Sequence, residues 1–267
     1  MSVQVLSLGS GSSGNALLIS APGCNLLVDC GLGVRTIAAG LKSLGLDWGS
    51  LSGVLITHEH SDHIRALEPI VRKGIPIHCS KGTAIGSRLS ARHYQQLSLN
   101  HTLQLDRASI HPVPLSHDAA EPCGYFIELP DQAIAIITDT GEARDCFLEP
   151  IRHSKLVVFE ANHDLQMLRS GPYPWHLKRR VESSRGHLSN ADCGATLRRA
   201  LEDGARPDVW LAHLSETNNH PDLALATVRR QLGELADSLR IEVLTRRGEF
   251  YRRPPDTEPM PSQLSLF

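Results

Sequence analysis

The sequence predicts an α/β sandwich, and three observations carry that expectation. Short apolar runs bounded by glycine, serine or proline recur through the first and middle parts of the chain. Runs with helical spacing are interspersed among them without regular alternation, and no internal repeat is visible. That order fits packed sheets with helices better than a regular βαβ array. The chain has 267 residues, 41% of them hydrophobic, which is enough for one large core or two small ones.

Taken in order, residues 3–8, 16–19 and 25–29 read as strands separated by Gly/Ser/Pro turns. Residues 34–46 have helical spacing, with Ile37, Leu41 and Leu44 on one face. Residues 52–57 form an apolar strand that runs into a histidine cluster. A helix follows over 62–73 and a strand over 76–79. Residues 110–115, 124–129 and 133–138 read as strands, each followed by a polar turn, and 156–160 is one more. A helix is expected over 189–203, with Ser189 or Asn190 placed to cap it. A short strand at 209–212 and a helix at 221–236 complete the set. The folded domain is therefore expected over 1–253. Residues 254–262 hold four prolines and nothing that could build a core, so 254–267 is expected to be a disordered tail.

Bulk properties bound the function. Charged residues make up 21% and the formal net charge is −2, which neither supports nor excludes a polyanionic substrate. No basic stretch followed by an apolar core opens the chain, and no apolar run approaches the length of a membrane span. Cys24, Cys30, Cys79, Cys123, Cys146 and Cys193 show no Cys-x-x-Cys spacing, so neither a zinc ribbon nor a disulfide framework is expected. The expected location is the cytoplasm, with no membrane partner. Histidine is the unusual residue, with 14 copies, several clustered beside acids.

Gly9-x-Gly11-x-x-Gly14 follows a strand and matches a dinucleotide fingerprint in its letters. That fingerprint requires a helix next, to hold a pyrophosphate at its N-terminus. Residues 15–19 read as a strand instead, so a glycine-rich hairpin turn is expected.

The chemistry lies in His58-Glu59-His60-Ser61-Asp62-His63, with four potential metal ligands in six residues. Three imidazoles and a carboxylate on one loop are costly unless a cation satisfies them, and this donor set suits zinc, iron or manganese. Alternation places His58 and His60 on one side and Asp62 and His63 across the turn, a pair for each of two metals. His117, Asp139 and His213 each close an apolar strand, and strand ends on one sheet edge can converge.

These motifs resemble the metallo-β-lactamase superfamily, from residue 1 to about 250. The resemblance implies an αββα four-layer sandwich. It implies that His58, His60 and His117 hold one metal, that Asp62, His63 and His213 hold a second, and that Asp139 bridges them. Asp29 matches an early aspartate that orients the metal loop without being a ligand. The antibiotic-cleaving members lack a bridging aspartate, so the resemblance argues against lactamase activity. Two metals about 3.5–4 Å apart suit in-line displacement at phosphodiesters. They also suit thioesters of the glyoxalase II kind, so the ligand set alone does not choose.

Two further features favour a nuclease. Phe159-Glu160-Ala161-Asn162-His163-Asp164 and Gly186-His187-Leu188-Ser189-Asn190 resemble the nuclease branch, especially the transfer-RNA 3′-processing ribonucleases. The match makes His187 a general acid at the leaving oxygen and Glu160 its orienting partner. Residues 166–190 carry Arg169, Lys178, Arg179, Arg180 and Arg185 against Glu182, with Tyr173 and Trp175 interleaved. Basic residues with aromatics suit single-stranded nucleic acid. Together with Ser10-Gly11-Ser12-Ser13-Gly14-Asn15, these phrases resemble the YycJ-like branch, regarded as DNA exonucleases. Gln263-Leu264-Ser265-Leu266-Phe267 matches the bacterial sliding-clamp-binding pentapeptide at every position. The resulting expectation is a clamp-tethered 5′-to-3′ DNA exonuclease that carries two zinc or manganese ions and acts on single-stranded or frayed ends. The alternatives are a small-molecule phosphodiesterase or thioesterase, an RNA-processing nuclease, and a binding or sensory protein that keeps its metals without turnover.

Overall fold

Strands form where runs rich in valine, isoleucine and leucine meet a glycine, proline or polar stop. The structure, a computed structural model, describes residues 3–246 and the backbone of residues 251 and 252. The first sheet contains β1 (Gln4–Gly9), β2 (Ala16–Ala21), β3 (Cys24–Val28), β4 (Gly53–Leu55), β5 (Ile77–Cys79) and β6 (Gln95–Gln96). The second contains β7 (Leu103–Leu105), β8 (Ala108–Pro114), β9 (Cys123–Glu128), β10 (Ala133–Ile137), β11 (Leu156–Glu160), β12 (Asp208–Ala212) and β13 (Ile241–Val243). The late strand β14 (Tyr251–Arg252) returns to pair with β1, so the orders are β14-β1-β2-β3-β4-β5-β6 and β13-β12-β11-β10-β9-β8-β7. Each sheet is half antiparallel and half parallel. The parallel halves are β3 to β6 and β10 to β13.

Period-two alternation sorts each strand between two cores. Val5, Leu17, Ile19, Tyr125, Ile127 and Trp210 meet between the sheets. Leu6, Leu8, Leu18 and Leu27 face outward onto Ile37 and Leu41 of α1 (Val34–Ser43). On the far side, Ala135, Ile137, Val157 and Phe159 pack on α5 (Leu148–His153), α8 (Asn190–Leu201) and α9 (Pro221–Leu232). This is the αββα four-layer sandwich expected from the sequence. Among the described residues, no helix is long and apolar enough to cross a membrane.

Several expected elements differ in their bounds. The single helix expected over 62–73 is two, α2 (Ser61–Ile64) and α3 (Leu67–Arg72). The break has a local cause, because the Ala66 N–H donates to Cys30 O at 2.8 Å instead of to the preceding turn. Pro69 then sits in the first turn of α3, where it forfeits no helical bond. The helix expected over 221–236 ends at Leu232, where Gly233 takes φ 61°, and continues as a 3₁₀ turn. Ser189 caps α8 as expected, accepting from Asp192 N at 3.1 Å. Four helices of six or seven residues had no distinct sequence signal: α4 (Lys81–Gly86), α5, α6 (Leu165–Ser170) and α7 (Trp175–Val181). The tail over 254–267, with its pentapeptide, lies outside the described residues.

Candidate metal centre

β3, β4, β8, β10, β11 and β12 run in a common sense within their sheets, so their C-terminal ends can converge on one edge. Ligand sites form readily outside such strand ends. The chain turns sharply there. Asp29, Asp139 and His213 take φ of 58°, 62° and 57°, three of the five positive-φ non-glycine residues among those described. Left-handed backbone costs a non-glycine residue roughly 1–2 kcal/mol. All three lie within two residues of the end of a parallel strand, where the chain turns out of the sheet.

Asp29 braces the His58–His63 loop from behind. Its Oδ1 accepts from Thr57 N at 2.9 Å, and its Oδ2 lies 2.8 Å from His63 Nδ1. It belongs to none of the candidate ligand groups. The glycine-rich turn braces the same loop from the other side. Asn15 N donates to Asp62 O at 2.8 Å, and Asn15 Nδ2 lies 2.9 Å from His63 Nε2. Ser10 Oγ accepts from His213 N at 2.8 Å. The turn is followed by β2, in keeping with a hairpin rather than a dinucleotide site.

His58, His60 and His117 form one group whose donor atoms all lie within 4.8 Å of one another, and Asp62, His63 and His213 form another. Asp139 stands between them. Its Oδ2 is 3.4 Å from His63 Nε2, and its Oδ1 is 3.3 Å from His213 Nε2 and 4.0 Å from His117 Nε2. Hydrogen bonds fix the ring orientations. With Nδ1 as donor, His63 binds Asp29, His213 binds Glu160 Oε1 at 3.2 Å, and His117 binds Gly186 O at 2.9 Å. Each Nε2 is then the unprotonated nitrogen and lies within 4.0 Å of an Asp139 carboxylate oxygen, the usual support pattern of metal-ligating histidine.

The donor set fits a cation. His58 Nε2, His213 Nε2 and Asp139 Oδ2 are buried without a hydrogen-bond partner. Buried lone pairs aimed at one another are unfavourable unless a positive charge lies among them. The electrostatics agree. Burial disfavours a charged His63 ring, yet Asp29, Asp139 and Asp62 together push it up to about 9. Burial also opposes ionisation of Asp62, but His213 and His63 hold its carboxyl well below the usual range. Imidazole with carboxylate suits zinc or manganese.

Glu160, at the end of β11, is fully buried and serves two rings. Its Oε1 lies 2.7 Å from His187 Nδ1 and 3.2 Å from His213 Nδ1, while Oε2 accepts from Thr140 N at 2.7 Å. Burial alone would raise its pKa, but the two histidines hold it well below the usual range. The sequence pointed to the link with His187; the link with His213 was not anticipated. His187 Nδ1 is 3.7 Å from Asp139 Oδ1, and the ring stacks on His213 at 5.2 Å between centroids.

The basic segment forms one wall of the centre. Arg180, at the end of α7, donates through Nε to Asp118 Oδ2 at 2.6 Å, and Arg185 donates to His117 O at 3.2 Å. Farther out, Arg169 pairs with Glu182 and Lys178 donates to Arg169 O at 2.7 Å. Arg179 and Trp175 are exposed, and Tyr173 is half-buried. Much of this positive charge is therefore engaged within the protein. Sequence reasoning missed Asp118, Asn15 and Thr57 as site neighbours. The glycine-rich turn was the one available hint.

Comparison with known proteins identifies the family. The beta-lactamase superfamily domain matches residues 24–213. Exodeoxyribonuclease YycJ of Bacillus anthracis is 36% identical over 85% of this chain and 88% of its own. Exodeoxyribonuclease WalJ of Streptococcus pneumoniae D39 is 33% identical over 85% of this chain and 87% of its own. The metallo-β-lactamase fold protein YhfI from Bacillus subtilis superposes with a TM-score of 0.70 at 16% identity, covering 94% of this chain and 99% of that one, and shares the fold. The chain belongs to the beta-lactamase superfamily, in the branch that includes YycJ and WalJ, and is a divalent-metal-dependent phosphodiester hydrolase.

Proposed function

We propose that this protein is a two-metal DNA exonuclease that releases nucleotides from the 5′ end of single-stranded or frayed DNA. The observation that carries the reading is His187, a ring outside the proposed ligand set, fixed by buried Glu160 at 2.7 Å beside Asp139. A positioned imidazole at such a centre suits a reaction in which a leaving oxygen must be protonated. The two relatives that match over most of their length, YycJ and WalJ, are named exodeoxyribonucleases, which supports DNA as the substrate class.

In this reading His58, His60 and His117 would hold one ion, Asp62, His63 and His213 would hold the second, and Asp139 would be shared between them. Bound there, zinc or manganese ions would supply an activated nucleophile at neutral pH and neutralise phosphate charge. The protein's own residues do the rest. Asp29 and Asn15 keep the metal loop in register, and Glu160 fixes the rings of His187 and His213. His187 keeps a proton at Nε2 for the departing 3′ oxygen. Arg169, Tyr173, Trp175, Lys178, Arg179, Arg180 and Arg185 present the surface along which a single strand would lie. The pentapeptide 263–267 would dock leucine and phenylalanine in an apolar groove of a sliding clamp, keeping the catalytic domain on DNA.

The test uses protein loaded with manganese or zinc and single-stranded DNA and RNA oligonucleotides labelled at either end, beside Asp62→Ala. Mononucleotides from the 5′ end of DNA, lost in the variant, are the expected result. No cleavage by a protein that still binds two ions would overturn it in favour of a small-substrate hydrolase. Clamp docking is checked by binding purified clamp to the full chain and to Phe267→Ala, which is expected to lose at least tenfold in affinity.

A further inference from the structure

We propose that Asp118 is a positioning residue that aims Arg180 at a substrate phosphate lying next to the His58–His60–His117 group, an assignment that rests on the nuclease reading. The Asp118 carboxylate is divided between two tasks. Oδ2 accepts from Arg180 Nε at 2.6 Å. Oδ1 is buried without a hydrogen-bond partner, 3.4 Å from His117 Nε2 and 3.8 Å from His60 Nε2. The residue thus spans the gap between the candidate ligand histidines and the basic wall, although it belongs to none of the ligand groups.

Arg180 is anchored from behind and open in front. The backbone after it is tied down, because His187 N donates to Val181 O at 3.0 Å and Gly186 O accepts from His117 Nδ1 at 2.9 Å. The Arg180 side chain is 57% exposed. Its Nε is engaged by Asp118, which leaves both Nη groups without a hydrogen-bond partner among the described residues. Guanidinium Nη donors in a fixed fork match phosphate oxygens in pairs. A free arginine at this rim would sample many rotamers, and the ion pair selects one. An uncompensated aspartate there would repel a phosphodiester. The acid is therefore compatible with a phosphate site only while Arg180 or a cation at the histidines covers its charge.

The test compares wild type, Asp118→Asn, Arg180→Ala, Arg180→Lys and the double variant Asp118→Asn/Arg180→Ala on a single-stranded DNA oligonucleotide, with metal content measured for each. Arg180→Ala is expected to raise KM about tenfold with a smaller effect on kcat. It should also flatten the dependence of log KM on log salt by about 0.7, the loss of one phosphate contact on a single strand. Arg180→Lys should recover part of KM. Asp118→Asn should raise KM several-fold, with the double variant no worse than Arg180→Ala and every variant holding the wild-type metal content. Unchanged KM and salt slope in an active Arg180→Ala protein would sink the proposal alone. So would independent, multiplying effects of the two substitutions, or loss of metal from Asp118→Asn, which would make the residue a ligand. A wild type that cleaves no oligonucleotide would remove the nuclease reading and this assignment with it.

Discussion

Glu160 shows how one side chain can serve two functions. Its Oε1 reaches both His187 and His213, so its removal should be felt in metal retention as well as in proton transfer. Glu160→Gln is expected to lose roughly 10–100-fold in metal affinity or activity, the usual effect of a lost support for a ligating histidine. His187→Ala should instead keep its metal while kcat falls roughly 10²–10⁴-fold. Metal content beside steady-state kinetics separates the two, and equal metal loss in both would refute the division of roles. At this scale the sequence was most legible where chemistry is local. The four donors of His58 to His63 sit in six consecutive residues, so spacing alone exposes them. Asn15 is invisible by that logic, since it reaches His63 only after the sheets assemble. Asp118 follows the proposed ligand His117 directly, yet its partner Arg180 is 62 residues away.

At the scale of elements, two segments lock the His58–His63 loop. Cys30 N donates to His63 O, Gly31 N to Asn15 O and Asn15 N to Asp62 O, each at 2.8 Å. Gly31 is where they touch, because a Cβ there would lie 1.5 Å from Asp62 O. That atom belongs to the backbone of a proposed ligand, so the contact cannot be relieved by rotating a side chain. Gly31→Ala is expected to cost about 1–3 kcal/mol or more in stability. It should also weaken metal binding, as read by thermal melting with and without added manganese. A variant that melts like wild type and binds metal equally would show that the loop has slack. The same contacts explain why the helix expected over 62–73 is broken, since apolar spacing continues across Arg65 and Ala66 while the Ala66 N–H is captured by Cys30 O. The central strands were legible from their length and composition. β6, β7 and β13 are only two or three residues long and owe their existence to a neighbouring edge.

At the scale of the molecule, the centre lies where two sheets meet, and hydrogen bonds join them there. Tyr125 Oη donates to Ile56 O at 2.6 Å and Cys123 N to Thr57 O at 3.1 Å, linking β9 to the strand that feeds the metal loop. The proposed ligands come from both sheets, so bound ions should act as a further clasp. Ligand occupancy at about 100 times Kd contributes about 2.7 kcal/mol. Dialysis against a chelator is therefore expected to lower Tm by roughly 5–10 °C and to abolish hydrolysis, with both restored by manganese or zinc. An unchanged melting temperature after verified metal removal would mean that the sandwich closes without them. The α/β sandwich was legible from the order of strands and helices, and the four layers from the family resemblance, since the strands buried on both faces read as near-continuous apolar runs. Which strand ends converge was not, since it depends on how the sheets pack.

The left-handed turns at Asp29 and Asp139 bear on how an inert form of the enzyme should be made for trapping a substrate complex. Alanine at either position would delete the carboxylate and still be forced into a backbone shape it resists. Its silence in an assay could then reflect a misshapen scaffold rather than a missing functional group. Asparagine tolerates that shape and keeps the volume and one acceptor oxygen. Asp139→Asn should therefore melt several degrees above Asp139→Ala, and of the two it is the decoy whose crystals would report the geometry of the working site.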